Sequence, residues 1–578
     1  MPRVGWFRRS RGRCWKAWRI KVQKFWRRLL TACAFAQAAL GISALPATDA
    51  LAQSAGKPVP PPLHAARARY FKDHPTELAA LIARLPIPHD NFGKVVNPPQ
   101  AAPTFGGVWS PVATPMPGGG ATAPHLMMDG TVLIHQQCSG IWHKLTPSSA
   151  GSYEAGTWST IATMPVGYTP LYFAAQVLAD GRLIMNGGEY NTGCNFAWTP
   201  LGAIYDPTTD TWQSVATPFT TGTIGDAQSA VLFNKDYMLA DCCSTDAAIL
   251  NPQTMKWRST GTGKADDYDE EGWSLLPNGN LITGDAYVYA QASCGMNTEK
   301  YSASTGRWTS AGNSPVQLSD CSGASPTNEV GPQMLRPDGT VVMFSGMAIG
   351  SPAGTAVYNS ATRTYAQGAN IPAVNSVNYT LADAPAALEP NGSILFAASP
   401  GPAFAIPTHF FEYSPANTAA RISNDPPNAA SNSSYVYNLL VLPTGQILMT
   451  DFSNTIQLYN PVGAPKADWA PVLVTAPTTI RRGVGQAITG MQLNGLSEAG
   501  AYGDDVQAAT DFPLVRITQS KTGQVFYCKT TNESSRDIAV KAVTTMDFEC
   551  PASVPAGAAS LVVVTNGIAS LAKAVTIK

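Results

Sequence analysis

Carboxylates and tyrosines recur at one place in the sequence, eight or nine residues before a series of turns rich in Asp-Gly and Asn-Gly. The members of this set are Tyr172, Asp226, Glu270 and Asp383 at eight residues, and Asp269, Glu329 and Tyr435 at nine. Carboxylates gathered in one cleft repel each other, so either some of their pKa values rise or a cation binds among them. Raised carboxyl pKa values suit acid and base chemistry on sugars, and tyrosines offer faces on which sugar rings stack.

The turns themselves belong to a long repeat that predicts the fold. Seven hairpins such as "SLLPNGNLITG" and "LVLPTGQILMT" join two apolar strands, and their turns begin at Asp129, Asp180, Asn234, Asn278, Asp338, Asn391 and Thr444. A period near 50 residues with four strands per unit is typical of a kelch-type propeller. We expect the strand around Trp109 to complete the last blade. The recurring aromatic residues Trp212, Trp257, Trp308 and Tyr365 are expected to pack between blades.

Composition agrees with this fold class, because charged residues are 13% of the chain while Gly and Pro number 50 and 46. The sequence therefore predicts an all-β protein, a seven-bladed kelch-type β-propeller followed by an immunoglobulin-like β-sandwich. The sandwich is predicted from alternating strands such as "FPLVRITQ" and "ASLVVVTNG". The expected segments are a signal peptide at 1–52, an N-terminal strap at 53–105, the propeller at 106–475 and the sandwich at 476–578.

The first 52 residues predict export. They contain eleven Lys and Arg and one Asp, and they lead into an apolar centre with small residues at Ala50 and Ala52, where we expect cleavage. The alternative, a membrane anchor, is disfavoured because the apolar run is short and interrupted by Gln37. The remaining chain has 27 basic and 37 acidic residues, which argues against a nucleic-acid partner. We therefore expect a periplasmic or secreted protein that is not stably inserted in a membrane after cleavage.

Eight cysteines follow the signal segment, and an even number in an exported chain favours disulfides. Cys528 and Cys550 are the only two after residue 475, and we expect them to pair. The adjacent Cys242 and Cys243 bond either to each other or to other cysteines.

A kelch propeller followed by a domain containing "AYGDDVQAATDFPLVRIT" and "PAGAASLVVVTNGIAS" resembles the galactose oxidase and glyoxal oxidase family over about residues 106–578. In that family the last segment is an early-set domain of immunoglobulin-like fold. The resemblance implies one copper ion held by two tyrosines and two histidines, with one tyrosine crosslinked to a cysteine. Tyr172 in "TPLYFAAQVLADG" and Tyr435 in "SSYVYNLLVLPTG" match the tyrosine positions.

The other copper positions do not match the family. The first histidine position is Val436, the cysteine position falls near Ala123, and the second histidine position falls near Lys529. His125 is the nearest substitute, and we expect it to be an ordinary loop histidine. Because two tyrosines lack the imidazole donors that such a copper site needs, we expect no copper cofactor and no copper-radical oxidase activity.

The family's ligand positions lie at the start of each innermost strand, so the resemblance places the acid and tyrosine positions in a ring at the channel mouth. One hypothesis is an exported protein that binds carbohydrate or another cell-envelope ligand at Tyr172, Tyr435, Asp269 and Glu270. The alternative is a glycan hydrolase or lyase whose catalytic candidates are Asp226, Glu270, Glu329 and Asp383. These four carboxylates are also the candidate site for Ca²⁺ or Mg²⁺, and no other cofactor is predicted. The third alternative is that the acids neither bind a ligand nor catalyse a reaction. They would then cap strand ends around a water-filled channel.

Overall fold

In the computed structural model the described residues are 106–578, except 197, 221–222, 287–294, 320–327, 348–351, 402–403, 423, 504 and 506. All of them belong to one compact unit, Pro61–Lys578. The predicted signal peptide at 1–52 and strap at 53–105 lie outside the described residues, as do Cys294 and Cys321. Among the described residues, no helix has both the length and the hydrophobicity needed to cross a bilayer.

Seven antiparallel sheets of the described residues form the blades of a propeller. β1 (Val108–Pro111) precedes the first blade of β2 (Ala121–Leu126), β3 (Val132–Gln136), β4 (Trp142–Thr146) and β5 (Thr157–Thr160). The second blade has β6 (Ala174–Val177), β7 (Leu183–Asn186), the short β8 (Tyr190–Asn191) and β9 (Asn195–Phe196), β10 (Gly202–Asp206) and β11 (Thr211–Ser214). The third has β12 (Ser229–Val231), β13 (Tyr237–Ala240), β14 (Ala247–Asn251) and β15 (Lys256–Thr260).

The remaining blades repeat this order. The fourth has β16 (Ser274–Leu275), β17 (Leu281–Gly284), β18 (Asn297–Ser302) and β19 (Arg307–Asn313), and the fifth has β20 (Gln333–Leu335), β21 (Thr340–Phe344), β22 (Thr355–Asn359) and β23 (Thr364–Gln367). The sixth has β24 (Tyr379–Thr380), β25 (Ala386–Leu388), β26 (Ile394–Pro400), β27 (His409–Tyr413) and β28 (Ala419–Arg421). The seventh has β29 (Asn438–Val441), β30 (Ile447–Thr450) and β31 (Gln457–Asn460).

The ring closes as the sequence predicts, because β1 pairs with β31 and completes the seventh blade. Trp109 lies opposite Tyr459 in this pairing and contacts the Tyr459 ring at 4.9 Å between centroids. The N–H of Gly107 donates to the Tyr459 hydroxyl, which in turn donates to the buried Glu412 carboxylate. Between the first and second blades, Trp142 packs against Trp212 at 5.8 Å, as expected for the repeated aromatic position.

A further sheet-rich domain follows the propeller. Its strands are β32 (Val472–Thr475), β33 (Thr479–Ile480), β34 (Gln486–Met491), β35 (Gly500–Ala501), β36 (Leu514–Gln519), β37 (Val525–Thr531), β38 (Thr544–Glu549), β39 (Gly557–Thr565), β40 (Ile568–Ala569) and β41 (Lys573–Ile577). Because β32 pairs with β34, the domain begins slightly before the expected boundary at 476. All of these strands except β35 join one sheet around a core of its own. Its immunoglobulin-like fold stays a prediction.

Three disulfides connect described cysteines. Cys528 pairs with Cys550 inside the core of the C-terminal domain, as predicted. Cys138 pairs with Cys194, which ties the first blade to the second, and Cys242 pairs with its neighbour Cys243. The described residues also form three single-turn 3₁₀ helices, at Thr192–Cys194, Ser434–Val436 and Ala467–Trp469.

One segment of the C-terminal domain enters the propeller. Here β35 pairs with β25, the innermost strand of the main sheet of the sixth blade, and the N–H of Leu388 donates to Ala499 O. The carboxylate of Glu498 accepts the N–H of Leu275 in the fourth blade at 2.7 Å, and Ser497 Oγ donates to Leu335 O in the fifth. We call the described residues 497–503 and 505 the plug. Protein, rather than water alone, therefore occupies this part of the channel.

Candidate functional site

The predicted ring residues lie in the loops that lead into the innermost strands. Each precedes the first main-sheet strand of its own blade, in the order Tyr172, Asp226, Glu270, Glu329, Asp383 and Tyr435. Innermost strands of neighbouring blades contact each other, for example β2 with β29 and β16 with β20. The loops that precede them are therefore brought together at one end of the channel.

Three of these loops hold a ring residue in the left-handed backbone conformation. The φ angles are 52° at Tyr172, 60° at Glu270 and 48° at Asp383. L-residues with bulky side chains rarely adopt this region, and each such residue costs about 1 kcal/mol or more. Hydrogen bonds hold the strained loops, since the N–H of Glu189 donates to Tyr172 O and that of Asp383 donates to Val330 O. Backbone strain at equivalent places in three blades is typical of functional sites.

Glu270, Glu329 and Asp383 form a carboxyl cluster from three consecutive blades. One carboxylate oxygen from each lies within 4.8 Å of the other two. Carboxylates this close repel each other when all are ionised, which favours the protonated form of each. Burial, together with the like charges of the neighbouring acids, raises the pKa of Glu270 and of Glu329 well above the ordinary range.

Two acids outside the repeat pattern join this cluster. Glu189 follows β7, and burial raises its pKa well above the ordinary range, with further contributions from the charges of Asp226 and Glu270. Asp505 belongs to the plug, and its charge acts on both Glu189 and Tyr172. We call this set the acidic wall; its members are Glu189, Asp226, Glu270, Glu329, Asp383 and Asp505.

Sequence reasoning missed Glu189 and Asp505 for different reasons. Glu189 comes after the inner hairpin rather than before it, although the preceding glycine pair is a usable signal. At that pair the N–H of Gly188 donates to Gly225 O at 2.6 Å, and a side chain on Gly187 would collide with the same oxygen. Asp505 lies in "AYGDDV", which the sequence reading used only to recognise the C-terminal domain.

Aromatic side chains line the other side of the site. The Tyr172 ring lies 6.1 Å from Tyr190, 6.4 Å from Tyr435 and 6.4 Å from Phe452 between centroids. Phe404 packs edge-on against Tyr435 at 5.4 Å. All five residues are partly exposed. We call them the aromatic wall; burial raises the pKa of Tyr172 well above its ordinary value, which keeps its hydroxyl protonated.

The plug closes the site from within the channel. Gly503 packs so closely that a Cβ there would lie 2.7 Å from Asp383 Oδ1, while a Cβ on Gly272 would lie 2.2 Å from Gly503 O. The Tyr502 hydroxyl donates to the backbone oxygen of Tyr435. The plug thus contacts both walls, and glycine at 503 leaves room for the Asp383 carboxylate.

The acidic run "KADDYDEEGW" does not act as one sector of the ring. Glu270 joins the carboxyl cluster, but the next residue, Glu271, belongs to a separate buried ion cluster. There the Lys264 ammonium contacts four carboxylates, at 2.6 Å to Asp266, 2.8 Å to Glu271, 3.1 Å to Asp285 and 3.0 Å to Glu299. The lysine supplies the counter-charge that burying these acids requires. The adjacent residues Glu270 and Glu271 of one acidic run therefore belong to separate clusters.

Asp269 lies at the edge of the site rather than in the carboxyl cluster. One of its oxygens lies within 4.8 Å of the bonded sulfurs of Cys242 and Cys243, and its charge helps to raise the pKa of Glu270. It is half-buried.

The copper positions of the oxidase family do not form a copper site here. Ala123 is buried and bonded to Asn438 through its N–H, and Val436 packs into a hydrophobic cluster. Lys529 lies away from the channel mouth, where its ammonium donates to Thr208 Oγ1, so the alignment of Lys529 with a ligand is wrong. The plug, with Tyr502 and Asp505, is the part of the C-terminal domain that reaches the site.

We expected His125 to be a loop histidine, but it is a buried residue of β2 that pairs with Leu133. Among the described residues, no group of convergent metal-ligand side chains includes a histidine. The donor set at the channel mouth is therefore carboxylate and phenol oxygen. Such a set does not fit the copper centre that the resemblance implies.

Comparison with known proteins finds only distant structural likenesses. No family model and no curated protein matches this chain. A solved fungal alcohol oxidase of the AA5 family, in complex with copper, is similar over 82% of this chain and 100% of its own, with 12% identity and a TM-score of 0.46. The chain itself forms a seven-bladed β-propeller followed by a further sheet-rich domain.

Other solved structures that are similar to this chain come from proteins of different kinds. Virginiamycin B lyase from Staphylococcus aureus covers 61% of this chain and 100% of its own, with 8% identity and a TM-score of 0.40. The extracellular domain of a hybrid two-component system from B. thetaiotaomicron covers 82% of this chain, over 59% of its own, with 10% identity and a TM-score of 0.41. Likenesses this distant assign no activity to this chain.

Proposed function

We propose that this protein is an exported binding protein whose ligand is a carbohydrate, held at the channel mouth between the aromatic wall and the acidic wall. The observation that supports this most directly is the juxtaposition of Tyr172 and Tyr435 with the carboxyl cluster, since the charges of Asp383 and Glu189 act on both tyrosines. Aromatic faces stack on the C–H faces of sugar rings, and carboxylates accept hydrogen bonds from hydroxyls.

Export is part of the proposal. It is supported by the basic and apolar first 52 residues and by three disulfides among the described cysteines. Ca²⁺ or Mg²⁺ is the other ligand with suitable chemistry, because carboxylate oxygens are the ligands these cations prefer.

A second candidate, a carboxylate-dependent glycan hydrolase or lyase, is favoured by the raised pKa of Glu270 and of Glu329, since a carboxylic acid that keeps its proton near neutral pH is a general acid. The spacing disfavours it. In glycosidases the two carboxyl groups lie about 5 Å or more apart with the sugar between them, whereas here oxygens of Glu270, Glu329 and Asp383 all lie within 4.8 Å of one another. Binding is therefore the better supported function.

The experiment is a mass-spectrometric screen of the purified protein with neutral and acidic oligosaccharides, with and without Ca²⁺ or Cu²⁺. Binding without turnover predicts that every sugar returns intact and that complexes are detected by native mass spectrometry. Shorter products that disappear with Glu270→Gln would establish the hydrolase or lyase instead. Oxidised products would overturn the assignment of Ala123, Val436 and Lys529 and restore the copper oxidase.

A further inference from the structure

The disulfide between the adjacent residues Cys242 and Cys243 lies in the loop 241–244, directly after β13. On one side, the N–H of Cys242 donates to Ile224 O at 3.0 Å. The Cys242 sulfur also packs on Gly225, where an added Cβ would come within 2.4 Å of it. Both contacts fall immediately before Asp226, a member of the acidic wall.

The same loop contacts the next blade on its other side. The oxygen of Ser244 accepts the N–H of Tyr268 at 3.2 Å, and a carboxylate oxygen of Asp269 lies within 4.8 Å of both sulfurs. Glu270 of the carboxyl cluster is the next residue. The loop thus connects the segment that carries Asp226 with the segment that carries Glu270.

The two sulfurs differ in accessibility. Cys242 is fully buried, whereas Cys243 is half-buried, so an external thiol can approach the disulfide at Cys243. The disulfide between Cys528 and Cys550 differs, because both residues are 0% exposed in the core of the C-terminal domain. A small reductant should therefore reach the adjacent pair before it reaches Cys528–Cys550.

We propose that the Cys242–Cys243 disulfide is a redox-sensitive clamp that fixes the acidic wall, and that its reduction by a dithiol loosens the binding site. The thiolate of the dithiol attacks Cys243 Sγ, the bond between the two cysteine sulfurs breaks, and Cys242 leaves as a thiolate that takes up a proton. The second thiolate of the reductant then displaces Cys243, which also takes up a proton. The protein gains two electrons and two protons, and the reductant becomes a disulfide. Only the predicted effect of reduction on ligand binding rests on the proposed function.

Asp269 adds charge selectivity to this reaction. Its carboxylate beside the sulfurs repels an attacking thiolate, whereas a neutral phosphine reductant feels no such repulsion. Asp269→Asn should therefore accelerate reduction by dithiothreitol about threefold or more, and leave reduction by tris(3-hydroxypropyl)phosphine within about twofold. Equal acceleration with both reductants would mean that Asp269 shields the disulfide sterically rather than by its charge.

The clamp is tested by hydrogen exchange followed by mass spectrometry, before and after graded reduction and alkylation. With Cys242 and Cys243 reduced, the amides of Cys242 and Tyr268, which donate across the loop, should exchange at least tenfold faster, while those around Cys528 stay unchanged. The double variant Cys242→Ser/Cys243→Ser should reproduce this without reductant. The double variant Cys138→Ser/Cys194→Ser, which removes the other accessible disulfide, should leave both amides protected.

Unchanged exchange at both amides in a protein with Cys242 and Cys243 fully alkylated would overturn the proposal, as would a disulfide that dithiothreitol reduces no faster than Cys528–Cys550. These readouts need no ligand, so they stand apart from the proposed function. If an oligosaccharide binds the oxidised protein, its affinity should fall at least fivefold after reduction. Equal affinity in the two states would refute the regulatory part of the proposal while leaving the binding function intact.

Discussion

Carboxylate oxygens of Glu270 and Glu329, from neighbouring blades, lie within 4.8 Å of each other, and both residues are buried. Burial and the charges of neighbouring acids raise the pKa of both groups well above the ordinary range. Glu271, the next residue after Glu270, instead contacts the Lys264 ammonium at 2.8 Å. Two adjacent acids of the chain therefore lie in different electrostatic environments.

This arrangement predicts that Glu329→Gln stabilises the protein at neutral pH. The pKa of Glu329 is raised in the folded state, so the stability that its protonated form confers is fully present below the unfolded pKa of 4.5 and is lost as the pH rises through the folded pKa. A glutamine keeps a hydrogen-bond donor at every pH. The variant should gain on the order of 1 kcal/mol at pH 8 and nothing at pH 4, measured by thermal or urea unfolding. A gain of equal size at both pH values would show that ionisation is not the cause.

The buried histidines of the first blade predict the opposite pH dependence. Burial lowers the pKa of His125 to about 3 and that of His135 to about 4, so both are neutral in the folded protein. The stability that the two neutral histidines confer is therefore fully present above the unfolded pKa of 6.5. It is lost as the pH falls toward their folded pKa values. His125→Leu should reduce the loss of stability between pH 7 and pH 4 by about 3 kcal/mol. His409→Asn, at a half-buried site beside Asp425, is the control.

Lys264→Met should be strongly destabilising. The change removes the ammonium that contacts Asp266, Glu271, Asp285 and Glu299, and it leaves these carboxylates buried without their counter-charge. Breaking a buried ion cluster in this way costs about 3–5 kcal/mol, to be measured by urea unfolding. The exposed Lys256→Met on β15 is the matched control and should change little. Similar stabilities for the two variants would mean that the acids around Lys264 are already protonated.

Gly503→Ala should disturb the site through the plug. The new Cβ would lie 2.7 Å from Asp383 Oδ1 and 2.9 Å from its Cα, so the plug or the Asp383 loop must shift. Overpacking of this kind costs about 1–3 kcal/mol, and any ligand affinity should fall about tenfold or more. Gly485→Ala, where an added Cβ meets nothing within 4 Å, is the control for a surface glycine of the same domain. Wild-type affinity in Gly503→Ala would show that the plug does not shape the site.

The propeller could be predicted from sequence because its hairpins repeat with a fixed turn chemistry, and even the closing strand at Trp109 follows from counting strands. The acids that precede the inner strands could be found by the same count. Glu189 and Asp505 could not, because they reach the site through a loop after a hairpin and through a segment of another domain. Glu270 and Glu271 belong to different clusters because only Glu271 contacts Lys264. That contact depends on the fold and could not be predicted from the sequence.

The position assigned to Lys529 failed for a related reason. Alignment by motif assumed that the C-terminal domain approaches the channel through the strand that carries Lys529, whereas the plug makes that approach. Contacts between sequence-distant segments leave no local periodicity from which to predict them.

The central claim is that the aromatic wall and the acidic wall bind one carbohydrate ligand, and saturation-transfer NMR with an oligosaccharide panel tests it most directly. We predict saturable transfer from the wild-type protein to at least one sugar, lost with Tyr172→Ala and with Glu270→Gln. It should be kept with Glu549→Gln, an exposed acid on β38 of the C-terminal domain. Transfer that survives both site variants, or an absence of transfer to any sugar of the panel, would contradict the account.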